Sequence, residues 1–138
     1  MKIRTLVGFL LAAQVPYSWA VSPCVSVDRS IPAAEKLRLA PIVAKQLQRQ
    51  MLVSTVTVLQ AFKYGSWKVY YVDPKDWEPV YLFFPNDPEK VGYVNLWAGA
   101  ARPEEEAGVL NWTKEKVPGI PSILAKCFAY HVTQERDK

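Results

Sequence analysis

Between Thr55 and Trp97, apolar side chains recur at every second position or gather in short runs. Gly, Pro, Asn and Asp break the runs at regular intervals. A two-residue period bounded by such breakers predicts strands joined by tight turns. Val53, Thr55, Val56, Thr57, Val58 and Phe62 predict a first strand from Met51 to Tyr64, since β-branched and aromatic side chains fit a pleated, half-buried surface. Gly65-Ser66 is a hairpin connection, and Trp67 to Val72 is its return strand. Alternation there places Trp67, Val69 and Tyr71 on one face and Lys68, Tyr70 and Val72 on the other. Asp73-Pro74-Lys75-Asp76 is a turn, Val80 to Phe84 a third strand, and Pro85-Asn86-Asp87-Pro88 a second turn. Val91 to Trp97 is a fourth strand, with Tyr93, Asn95 and Trp97 alternating against Val94 and Leu96.

The flanks carry a helical period. After an extended arm over 21–29, Ser30 is a fitting N-cap, with Pro32 in the first turn. Leu37, Leu39, Val43 and Leu47 supply the apolar side. Pro41 predicts a kink, or a second helix running from Pro41 to about Gln50, because its ring removes one hydrogen bond and crowds the preceding turn. Beyond the flexible Ala98–Ala101 stretch, Pro103 opens another helix, with Glu104, Glu105 and Glu106 against its positive dipole end and Val109 and Trp112 turned inward. Pro118-Gly119-Ile120-Pro121 ends it. Leu124, Cys127, Phe128 and His131 then share a face of a last helix starting near Ser122, a final strand being the alternative. The fold class is α+β: an N-terminal helix packed on a four-stranded antiparallel meander, with short C-terminal helices.

The first twenty residues stand apart from this pattern. Lys2 and Arg4 precede an apolar run from Leu6 to Ala13, Pro16 breaks it, and Ser18-Trp19-Ala20 puts small residues where a signal peptidase reads. Residues 1–20 are read as a secretory signal, 21–133 as a single exported domain and 134–138 as a charged tail. The apolar run is too short to span a bilayer, and Pro23 before Cys24 disfavours a lipid anchor. Export changes the meaning of the two cysteines: in an oxidising compartment, periplasmic or extracellular, Cys24 and Cys127 pair and tie the arm to the last element. It also takes two positive charges from the net +4. The remaining basic residues are scattered among acids, so no patch for nucleic acid exists.

At this level the chain resembles cystatin-like and NTF2-like α+β domains. The pieces Gly65-Ser66-Trp67, Trp112 and Gly119-Ile120-Pro121 are similar to those of small exported bacterial proteins that share a helix, a strand ending in a Gly-x-Trp turn and a Trp-containing tail. The resemblance implies a fold and no activity.

Reactive constellations are sparse. One histidine and two cysteines provide no metal cluster, no Gly-x-Ser-x-Gly elbow exists, and no glycine-rich phosphate loop is present, so neither a metal nor a cofactor is expected. His131 is read as a satisfied core or rim residue; a Cys127–His131 nucleophile would need Cys127 to be free. Asp73, Asp76 and Glu78 could serve a carboxylate-based hydrolase, but a turn is the simpler reading. The aromatic content goes further. Trp77 lies in the charged loop Lys75-Asp76-Trp77-Glu78-Pro79, and Tyr70 and Tyr81, on a solvent face, would extend it into a contact surface. The expectation is a non-catalytic exported binding module contacting another envelope protein, in the manner of an inhibitor or immunity protein. The alternative is a binder of a glycan or small apolar ligand on a concave sheet, and a hydrolase comes third.

Overall fold

The computed structural model describes Pro16 and residues 21–135. Apart from Pro16, the leader read over residues 1–20 lies outside the described residues, as does the end of the tail, 136–138. The chain forms α1 (Ala33–Leu47), β1 (Thr57–Tyr64), β2 (Trp67–Asp73), β3 (Val80–Phe84), β4 (Asn95–Ala98), a 3-10 turn over Pro103–Glu105, α2 (Glu106–Lys116) and α3 (Ser122–Gln134). The strands follow one another as an antiparallel meander, in the order β1-β2-β3-β4. This is the α+β architecture that the periodicities predict, with the last element a helix.

Helices cover both faces of the sheet. Val58, Tyr70, Val72, Val80, Leu82 and Phe84 pack with Leu39, Val43 and Leu47 of α1. Phe62, Val69, Tyr81 and Phe83 pack with Val109 of α2 and Leu124, Cys127, Phe128 and Val132 of α3. The predicted alternation of β2 holds, with Val69 on the side of α3 and Tyr70 and Val72 on the side of α1. All five residues of β3 are buried, because a strand covered on both faces has no solvent side to alternate with. In β1, Val58 pairs with Val72 but Gln60 with Tyr71, so Leu59 is a bulged extra residue. The bulge resets the alternation, which is why Val58 and Ala61, three apart, both face α1.

Four expectations are corrected. The helix begins at Ala33 without a side-chain cap, and Ser30 bonds Asp28 instead. Pro41 stays inside one continuous α1, so no second helix starts there. Both Pro41 and Leu37, whose carbonyl loses its partner, lie on the solvent side, so the missing bond leaves no buried gap. Leu37 does not join the apolar side; it is 77% exposed, since it sits about 200° around the helix from Leu39. The first and fourth strands are shorter than predicted: residues 51–56 only approach β1, and 85–94 form a loop, so that Tyr93 turns towards α1 while Trp97 faces α2.

That loop is held from α1. The Gln46 amide donates to the carbonyls of Pro88 and Val91, at 2.9 and 3.2 Å, and its Oε1 accepts the Tyr93 N–H at 3.1 Å. One side chain therefore meets three backbone groups that have no strand partner. Replacing Gln46 with Leu is expected to cost about 3 kcal/mol in urea unfolding, given roughly 1 kcal/mol for each of the three bonds lost in a half-exposed setting. An unchanged midpoint would show that the loop holds itself.

Candidate functional site

The structure separates the three aromatic residues expected to share a surface. Tyr70 is fully buried against α1, with its ring edge-on to Phe84 at 5.9 Å. Its hydroxyl donates to Glu35 Oε1 at 3.1 Å, and Lys63 Nζ holds the other carboxylate oxygen at 2.8 Å. Burial and then the Glu35 carboxylate raise the phenol well above its ordinary range. Tyr81 is buried on the opposite face, stacked on Tyr71 at 4.3 Å and edge-on to Phe128. Neither lies on a solvent face, because α1 and α3 cover both sides of the sheet. The anticipated Trp77–Tyr70–Tyr81 patch is therefore not formed.

Trp77 is on the surface, 49% exposed. Its loop is shaped by Asp73, whose carboxylate accepts the Lys75 N–H at 2.8 Å, and by Lys75 itself at φ 63. The indole N–H donates to the Leu52 carbonyl at 2.9 Å, which fixes the ring beside a leucine that is 90% exposed. From Leu52 the chain leads to Val56–Val58, one wall of a groove of about 330 Å³ whose other wall is Ala33, Leu37 and Ala40 of α1. Sequence reading missed Leu37 and Leu52. For Leu37 the helical period held the signal, since it stands opposite Leu39; Leu52 was hidden inside a strand drawn too long.

The other candidates settle elsewhere. Cys24 and Cys127 form a disulfide with Cα atoms 4.6 Å apart, which rules out a free Cys127 nucleophile. His131 is buried but not satisfied: neither ring nitrogen has a hydrogen-bond partner among the described residues, and the ring lies edge-on to Phe62 at 4.8 Å. Burial, then the nearby Arg29 charge, lower its pKa to about 4. Glu78 lines one cavity, with Tyr71 and Tyr81, whereas Glu104 and Glu105 line another. Among the described residues no three His, Cys, Asp or Glu side chains gather as a metal site, and no helix is long and apolar enough to cross a membrane.

The fold and its surface thus define a small disulfide-closed α+β domain with a helical layer on each sheet face. No protein-family model, curated protein or solved structure matches the chain.

Proposed function

We propose that the protein is a non-catalytic exported binding module, periplasmic or secreted, that contacts another protein of the cell envelope through Trp77 and Leu52. The observation that carries this reading is the indole of Trp77, held by its N–H on the Leu52 carbonyl and left half in water beside an almost fully exposed leucine. A pre-positioned tryptophan with an adjacent apolar side chain loses little freedom on binding, which is the character of an interface anchor. The groove next to Leu37 offers a second apolar contact at the end of the same segment. The disulfide supports maturation in an oxidising compartment. Glu78 lines a different cavity from Glu104 and Glu105, so nothing supports a hydrolase that draws one carboxylate from each segment.

A photo-crosslinking residue placed at position 52 in the native host is expected to give one discrete adduct. The same residue at 115, on exposed α2, should give none, and Trp77→Ala should abolish the adduct from 52. Identical adduct patterns from both positions, or an adduct that survives Trp77→Ala, would overturn the reading. Trp77→Ala is expected to leave stability within about 1 kcal/mol of the parent, because the ring is half exposed and loses one bond to a solvated carbonyl. Thermal unfolding checks that the lost adduct is not lost fold.

A further inference from the structure

Trp97 of β4 and Trp112 of α2 are both only partly buried. Their indole planes meet at 73° with centroids 4.8 Å apart. They form the corner of a cavity of about 430 Å³, which Ala101 and Gly108 also line and which Glu104 and Glu105 border. That volume is within the range of small-molecule sites. We propose that this cavity binds a neutral sugar ring, stacked by its C–H face on the indole corner and held by hydroxyl groups that donate to the Glu104 and Glu105 carboxylates.

Three independent features lead to this chemistry. Gly108 sits inside α2, where a glycine costs roughly 0.5–1 kcal/mol relative to alanine. A Cβ there would meet nothing within 4 Å, and the residue is not in the left-handed region, so neither packing nor backbone demands glycine. What the missing side chain does is keep the cavity wall open. The second feature is the aromatic corner: indole faces are flat, apolar and electron-rich, and match the slightly positive C–H face of a pyranose. The third is the rim. Carboxylates only accept, so they suit a ligand rich in hydroxyl donors. Both are held by one residue: the Arg102 guanidinium lies 3.3 Å from Glu104 and 3.7 Å from Glu105, and the Arg102 N–H donates to Glu105 Oε2 at 2.6 Å. Two carboxylates beside one guanidinium keep a net negative charge, which disfavours an anion, while the indole corner asks for an apolar face. A neutral polyol with one apolar face satisfies both conditions.

The site uses none of the Trp77 surface, so either proposal can fail without the other. The test follows the Trp97 and Trp112 indole N–H resonances during titration with glucose, galactose, mannose and N-acetylglucosamine, with choline and citrate as charged controls. At least one sugar is expected to shift both signals saturably. Gly108→Leu, which fills the cavity, should weaken that binding at least about tenfold while the melting temperature holds or rises. Glu105→Gln should weaken it several-fold, and Trp112→Phe should do so while keeping an aromatic ring against Phe83. The proposal is overturned if none of the four sugars gives saturation, if choline or citrate binds more tightly than every sugar, or if Gly108→Leu binds with parental affinity.

Discussion

Removing the Cys24–Cys127 bond, by reduction or by Cys24→Ala/Cys127→Ala, is expected to destabilise the domain by about 4 kcal/mol. The bond joins residues 103 apart. A cross-link closing a loop of that length restricts the unfolded chain by up to about 4.7 kcal/mol in the chain-entropy view. The folded state should change little, because the arm has other anchors. Val27 is buried in the α3-side core, Asp28 and Lys63 exchange backbone hydrogen bonds at 2.9 and 2.8 Å, and Arg29 lies over Phe62 at 3.8 Å while donating to the Ala61 carbonyl. The effect therefore falls on the unfolded ensemble. For a domain of this size the melting temperature should drop by about 15 °C. Urea unfolding of the oxidised and reduced forms measures it. A loss below about 1 kcal/mol would mean that the unfolded chain already keeps its ends together.

His131 should make the domain sensitive to acid well above the carboxylate range. Its pKa is about 4 in the folded protein, against 6.5 in an unfolded chain. A histidine whose folded pKa is depressed binds its proton more readily when unfolded. Stability is thus fully present above pH 6.5, declines as pH falls from about 6.5 and levels off near 4. The full loss is about 3 kcal/mol, from roughly 1.4 kcal/mol per unit. The cause is local: a ring without hydrogen-bond partners among the described residues, packed on Phe62 and near the Arg29 charge. His131→Leu should flatten the curve between pH 6.5 and 4.5 and match or exceed the parent at pH 7.5, since it removes an unsatisfied polar group. Asp28 and Asp87, whose pKa values are lowered by hydrogen bonds to Ser30 and Glu89 together with nearby cations, contribute their losses below this window, as pH falls under about 3.8. A His131→Leu variant with the parent's slope across pH 6.5–4.5 would show that another group titrates there.

Local rules made the second and third strands and the last helix legible. In 67–72 the two-residue period places Val69 and Tyr70 on opposite faces, and in α3 the helical period buries Leu124, Cys127, Phe128 and His131 together. The same rules misplaced the contact surface. Alternation states that Tyr70 and Tyr81 have a face each, but not that both faces are roofed, because α3 returns from far along the chain to cover the second. The fourth strand fails for a related reason. Val91–Val94 has the composition of a strand, but the Gln46 amide takes the Val91 carbonyl and the Tyr93 N–H, so bonding to β3 begins only at Val94, whose N–H donates to the Phe83 carbonyl.

By itself, the chain's sequence determined its element order, the hairpin, the pairing of two cysteines and the exposed loop of Trp77, all of which follow from nearest-neighbour sterics, side-chain period and redox chemistry. The tertiary structure alone decided which aromatics meet water, which wall Gly108 leaves open, and that His131 is buried without a hydrogen bond. Those outcomes depend on which distant element packs on each face, and burial is a property of the packed layers rather than of any short stretch of chain.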